Sequence, residues 1–280
     1  LDTLRRNLSQ SLELMTDVVL RPSFPAEELE RLRKQSLDAI LQERANANAT
    51  AGRLVRKLLF GSRHPYGWPV GGEEESVRDI QREELESFYR KRYRPATSCL
   101  IVSGDVRLDE AKDAAEEYFA DWRGESVDPP IVSPVSLSGR RLYLVDRPGS
   151  AQSEVRLAML APRRKTPGYF PLQVMNNVLG GGFSSRLNLN LREDKGYSYG
   201  AFSAIRFGRH QSLMLGTSSV ETGVTDKAVA EMLKEFEALA EWSRPVTEDE
   251  LGAAQATLIR GYAQRFETLA QIAGELAELV

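Results

Sequence analysis

The chain has 280 residues with a formal net charge of −3, 41% hydrophobic and 28% charged, a balance that suits a globular protein with room for one large or two ordinary domains. A slightly acidic balance with no basic stripe carrying interleaved aromatics argues against a nucleic-acid partner, and no apolar run approaches the length that spans a membrane. The lone cysteine, Cys99, excludes an internal disulfide and leaves the compartment open.

Leu4, Leu8, Leu12 and Met15 recur at helical spacing from the first residues, so the chain is expected to open inside a longer domain. A second helix starts at Pro25, with Glu27 and Glu28 in its first turn, and runs through Leu29, Leu32, Leu37 and Ile40 to the polar run at 46–50. A third, over 51–60, leads into the turn-rich FGSRHPYGWPVGG. A fourth, around 82–93, precedes an apolar strand at 98–103, and 109–122 is amphipathic again. The segment 128–138, DPPIVSPVSLS, holds three prolines and reads as an interdomain linker.

Beyond it, 140–146 and 151–160 are expected strands. Pro167-Gly168 opens a helix that ends at a run of three glycines. Residues 197–205 and 211–220 form an expected hairpin around Gly208, with His210 exposed. The helix expected over 224–242 places Val224, Ala228, Met232, Phe236 and Leu239 on one face. Pro245 ends it, and Thr247 with Glu250 forms a capping box for a last helix towards residue 280.

The central stretch, 179–200, is LGGGFSSRLNLNLREDKGYSYG. Gly180, Gly181 and Gly182 let the backbone approach another chain closely. Ser184 or Ser185 can cap a short helix bearing Leu187, Leu189 and Leu191, and Lys195-Gly196 closes it. From Tyr197 the chain turns extended, with Tyr197, Tyr199 and Ala201 on one side of the pleat. Arg192 and Tyr199 then flank a tight corner, a fork of charged donors beside a phenolic hydroxyl.

This glycine run, short helix and Arg192-to-Tyr199 spacing resemble the second-domain signature of the insulinase/pitrilysin family of inverted-zincin metallopeptidases. FGSRHPYG, EEES and EELESFYRKRYRPATSCLIVSGDV resemble the latter part of its first domain. The resemblance implies an α+β fold of two similar domains, each an antiparallel-rich sheet with helices mainly on one face. The first, at 1–127, would be N-terminally incomplete and the second, at 139–280, C-terminally incomplete, within a source protein of roughly 400 to 450 residues. It also implies that Arg192 and Tyr199 hold the substrate backbone and help stabilise the transition state, with Gly180–Gly182 against substrate or partner backbone.

Two histidines, His64 and His210, are far apart in the chain, and a zinc site needs three or four clustered ligands. His64 reads as a satisfied loop histidine. The family's inverted H-x-x-E-H motif would precede residue 1, and its third zinc ligand is a glutamate on the helix starting at Pro25. In ungapped register that position falls on Ala39, which cannot bind metal. Glu43 lies one turn on, about 6 Å further along the axis, and takes the role only with a register shift. The expectation is a chain with no metal cofactor of its own, acting on a peptide substrate beside a zinc-bearing sister subunit. Two alternatives stay open: a self-sufficient zinc peptidase using Glu43, and a non-catalytic scaffold subunit of the same fold.

Overall fold

The computed structural model describes residues 1–125, 127–129 and 131–279. Ser126, Pro130 and Val280, which fall in the expected first domain, linker and last helix, lie outside them. In chain order the elements are α1 (Leu8–Leu20), α2 (Ala26–Ala45), α3 (Ala47–Phe60), α4 (Glu74–Asp79), α5 (Arg82–Arg92), α6 (Leu108–Phe119), β1 (Gln152–Ala161), α7 (Tyr169–Leu179), α8 (Arg186–Asn188), β2 (Ser198–Arg206), β3 (Ser212–Glu221), α9 (Thr225–Ala240), α10 (Glu248–Gln264) and α11 (Leu269–Ala277). Among the described residues no helix is long and apolar enough to cross a membrane.

Local chemistry sets the helix ends. Asn46 starts α3 four residues earlier than expected, its side chain accepting from Ala49 N at 3.0 Å. Thr247 and Glu250 exchange the two bonds of a capping box at the head of α10. The single last helix is corrected to two. Thr268 and Gln271 form a second box and restart the chain as α11, because a satisfied cap outcompetes continuation of the helix before it.

The residues form two compact units, each assembled from separate segments. One comprises Leu1–Leu37, Glu74–Pro130 and Ile259–Val280 and is helical among its described residues. In it the Arg5 guanidinium bonds the Asp105 carbonyl and, at 2.9 Å, the Glu110 carboxylate. Tyr89 Oη donates to Val19 O at 2.7 Å. Arg33 donates to the carbonyls of Val77, Arg78 and Ile80 at 2.6–2.7 Å, covering groups that the end of α4 leaves orphaned. The strand expected at 98–103 does not form, and Leu100 and Val102 are exposed. A strand exists only in a ladder, and no described segment pairs with this one.

The second unit comprises Asp38–Glu73 and Ile131–Leu258. Its sheet has the order β1-β3-β2, antiparallel throughout, so the α+β class holds and the hairpin forms as expected. Val155, Ala201, Met214 and Val220 face a core shared with Leu179, Leu187, Leu191, Met232 and Phe236 from the helical segments. Burying each large side chain there contributes roughly 1.5–3 kcal/mol. On the opposite face, Leu59 and Phe60 of α3 cover Leu213 and Leu215, with Ala158 and Leu160 alongside. Helices therefore cover most of one face and one end of the other. The strand expected at 140–146 is corrected to irregular chain, with Leu142 and Leu144 exposed, again for want of a ladder partner.

One buried ion pair anchors this unit. Arg186 of α8 is 2% exposed and grips Glu250 with two bonds, at 2.6 and 2.7 Å, while donating to the carbonyls of Arg244 and Pro245. The Arg186 hydrogen bonds hold the Glu250 carboxyl well below its ordinary 4.5, at about 2. A depressed carboxyl adds stability that is fully present above pH 4.5 and lost as pH falls towards 2. Urea denaturation at stepped pH is expected to show roughly 3 kcal/mol lost across that window through this group, and Glu250→Gln should flatten that part of the acid limb while lowering stability at neutral pH.

Candidate functional site

The glycine run meets the sheet edge directly. Gly180 N closes α7 on Asn176 O, and Gly180 O accepts from Ser203 N of β2 at 2.8 Å. A Cβ at 180 would stand 2.3 Å from Ser203 N, so only glycine admits this approach. Asn176 then brackets the same residue, with Nδ2 donating to Ser203 O at 3.3 Å and Oδ1 accepting from Ser203 Oγ at 2.9 Å. Asn188 Oδ1 accepts from Ala201 N at 3.3 Å, while its Nδ2 donates to Phe183 O at 2.7 Å. The outer edge of β2 is thus closed by two asparagine amides and a glycine carbonyl, where another sheet would carry a further strand. The close approach expected of the glycines towards a substrate or partner is, at Gly180, an approach to this chain's own β2. A Cβ on Gly181 would meet α7 backbone at 2.8 Å, whereas Gly182 faces open space.

Ser185 precedes α8, and its hydroxyl donates to Gly182 O at 2.6 Å. The helix then widens into a π-turn over Leu189–Asp194, marked by Lys195 N bonding Asn190 O, and Tyr197 N bonds Leu191 O as the chain leaves it. Leu187 and Leu191, one turn apart, are fully buried, and Leu189 between them points out. Gly196 closes the turn at φ +65°, as its position after the helix requires. Asn190 secures the π-turn from below, donating to Glu231 at 2.9 Å and to buried Glu235 at 2.8 Å. Glu235 is in turn held by Arg244 at 3.2 Å. The guanidinium of Arg192 lies 4.1 Å from the Phe183 ring centre and 3.5 Å from the Glu193 carboxylate.

Tyr199 is placed by a β-bulge. Ser198 pairs with Val220 and Ala201 with Ser218, so Tyr199 and Gly200 together oppose the single residue Ser219. Simple alternation puts Tyr199 on the side of Ala201. The extra residue reverses that: Ala201 is buried against the helices and Tyr199 is 91% exposed on the other face. Arg192 and Tyr199 are therefore displayed as two separate groups; among the described residues no hydrogen bond, ion pair or ring contact joins them.

Beside Tyr199 lies an open depression of about 370 Å³, floored by the sheet and walled in part by Phe202 and Asn48. Its polar floor escaped the sequence reading. Glu154 and Arg156 pair at 2.9 Å, and Ser219 Oγ and Asn48 Nδ2 donate to the same carboxylate at 2.7 and 3.2 Å. The available signal was in β1: two charged residues two apart, on the face opposite Val155, ahead of the apolar run Leu157–Ala161.

The residues of the expected metal position do not fit zinc. Ala39 is exposed on α2 and carries no donor. Glu43 is bonded to Arg53 at 2.8 Å, and Arg53 also reaches Glu73 at 2.7 Å and Gly72 O at 3.0 Å; a cation at Glu43 would have to displace a guanidinium. His64 uses both ring nitrogens, Nδ1 accepting from Tyr66 N at 3.1 Å and Nε2 therefore donating to Ser133 O at 3.0 Å. It serves as the loop histidine the sequence suggests, stacked on Phe60.

Residues 79–258, well over half of the chain, match the family described as "Peptidase M16 inactive domain". An uncharacterized zinc protease of Mycobacterium leprae is 32% identical over 201 residues, 71% of this chain and 45% of that protein. A probable inactive metalloprotease of Bacillus subtilis is 23% identical over 252 residues, 83% of this chain and 55% of that protein. The chain spans about half the length of these curated relatives. The crystal structure of a peptidase M16 inactive domain from Pseudomonas fluorescens superposes with a TM-score of 0.84 at 24% identity, covering 97% of this chain and 64% of that one. At that identity the likeness is one of fold.

The glycines separate experimentally. Gly180→Ala forces backbone apart at Ser203 and is expected to cost about 2 kcal/mol of unfolding free energy. Gly182→Ala, whose Cβ meets nothing within 4 Å, should stay within about 0.5 kcal/mol of wild type. Chemical denaturation of the two variants side by side checks both.

Proposed function

Because the chain belongs to the M16 peptidase family, through the domain described as inactive, we propose that it is the zinc-free, Arg/Tyr-bearing subunit of a two-chain metallopeptidase. The observation that carries this reading is the bulge at Tyr199–Gly200. It turns an aromatic ring and its hydroxyl away from the core, with no hydrogen bond to that hydroxyl among the described residues. A core tyrosine would have its ring packed and its hydroxyl paired, so this one is built to meet something outside the unit.

In this reading the hydrolytic centre, with its zinc and general base, belongs to a sister subunit, and this chain supplies binding and charge stabilisation. Tyr199 Oη–H donates to the scissile carbonyl oxygen as negative charge develops on it. Arg192, steadied against the Phe183 ring, offers its planar fork of donors to a neighbouring substrate carbonyl. Gly182 is the member of the glycine run left to lie along a substrate backbone. The competing reading, zinc held by Glu43 in this chain, has the Arg53 pair against it.

Two measurements test the proposal. Tyr199→Phe should leave stability within about 0.5 kcal/mol of wild type, since an unpaired exposed hydroxyl is removed. Turnover in the complex with the zinc-bearing subunit should fall by about a hundredfold or more. Arg192→Lys should be nearly as damaging, because an ammonium lacks the planar two-donor fork. A Tyr199→Phe complex that assembles and cleaves at the wild-type rate removes the catalytic role. Elemental analysis of the full-length protein purified without added metal should find no stoichiometric zinc; one tightly held ion per chain would transfer the hydrolytic centre to this subunit.

A further inference from the structure

The depression beside Tyr199 has a chemistry of its own. In the sheet register Arg156 lies opposite Thr217, and Thr217 opposite Phe202; Glu154 lies opposite Ser219. Directly opposed residues share a face, so these side chains form two adjacent rows across one floor, on the face to which the bulge sends Tyr199. The volume of about 370 Å³ is at the small end of ligand-sized cavities and suits one side chain of a larger ligand.

Donors and acceptors on this floor are unequal. The Glu154 carboxylate already accepts from Arg156, Ser219 and Asn48. Its acceptor capacity is largely spent, and its charge is met by Arg156. Arg156 is almost wholly buried and fixed by bonds from its Nη atoms to Val155 O and Glu154. Its Nε–H has no acceptor among the described residues. The hydroxyl of Thr217 and the amide of Gln152, both on the lining, likewise have no internal partner. What remains on offer is one pure donor held in place, Arg156 Nε–H, beside a hydroxyl and an amide that donate or accept as a ligand requires, with Tyr199 and Phe202 on the same lining.

We propose that this depression is a side-chain subsite for the peptide substrate, and that it selects a residue ending in a carboxylate or carboxamide: Asp, Glu, Asn or Gln. The methylenes lie between the two aromatic rings, and the terminal oxygens accept from Arg156 and Thr217. Arg156 is here a specificity-determining residue, and Glu154 and Asn48 position it. The assignment rests on the reading of Tyr199 as a substrate-contacting group, since the subsite adjoins that residue.

The test is fluorescence anisotropy on the full-length protein, with extended decapeptides identical except for one guest residue: Glu, Gln, Leu or Lys. Peptides with Glu and Gln guests are expected to bind about tenfold tighter than the Leu peptide, the factor one charge-assisted hydrogen bond carries. The ratio of Glu to Gln tells whether charge or the hydrogen bonds alone contribute the preference. The double variant Glu154→Gln/Arg156→Gln, which leaves no buried charge unpaired, should bring the four peptides to within about twofold. Thr217→Val keeps the shape of the floor and should lower the Glu and Gln preference severalfold even if the double variant misfolds. Equal binding of all guests, a preference for Leu or Lys, absence of binding by every peptide, or a preference unchanged by both variants overturns the subsite. Tyr199→Phe cleavage data separate the two proposals. A guest preference with normal Tyr199→Phe turnover removes the catalytic reading alone; lost turnover with no guest preference removes the subsite alone.

Discussion

The outer edge of β2 is the constraint on which the site depends. An edge strand carries a row of backbone groups that must find partners or water, and here Gly180 O, the Asn176 amide and Asn188 Oδ1 supply them. This fixes three things together. The glycine loop is pinned to the sheet, α8 is held against β2 through Asn188, and the π-turn follows from there with Arg192 on it. Because the same strand carries the bulge, the groups that hold its edge also hold the angle at which Tyr199 leaves it. Three small polar contacts thereby locate both members of the Arg/Tyr pair.

Charge inside this unit is used for placement more than for net attraction. Arg186 is buried with each of its three guanidinium nitrogens donating to Glu250 or to the chain just after α9. Glu235 is buried between Asn190 and Arg244. Breaking such a pair from one side strands a charge, which costs far more than the pair itself contributes, so each ties its segment to one geometry. The Glu43–Arg53–Glu73 chain does the same at the end of α2, and in doing so takes up the one carboxylate that a shifted register would offer to a metal.

What could be read from the sequence divides along range. Helices, their caps and the stop at Gly196 are decided by neighbours within a turn, and Thr247 and Gly196 announce them, while Asn46 was hidden inside a polar run that also suits a loop. Strands are decided by partners far along the chain, so 98–103 and 140–146 look like strands and lack the ladder. Tyr199 shows the same limit at one residue: period-two alternation points it inward, and only the pairing of Ser198 with Val220 and Ala201 with Ser218 reveals the extra residue that turns it out. Arg192, Tyr199 and the glycines were legible as a motif. Asn176, Asn188 and the Glu154–Arg156 floor were not, because an asparagine on a helix gives no hint that it will serve as a surrogate strand, and a charged pair in a strand resembles an ordinary wet face.

The π-turn at Leu189–Asp194 has a consequence for how this stretch can change over generations. A π-turn is an α-helix with one residue too many, so chain length here is itself part of the structure. A deletion inside the π-turn would let it close as an ordinary α-turn, whereas one ahead of it, between Phe183 and Leu189, would turn the residues that follow by about 100°. Arg192 would leave the Phe183 ring, and the left-handed glycine would arrive one step early. Point changes alter one contact at a time, but a change of length alters all of them together. The number of residues in this segment is thus as much a part of its fold as the buried Asn188 and Asn190 and the left-handed Gly196.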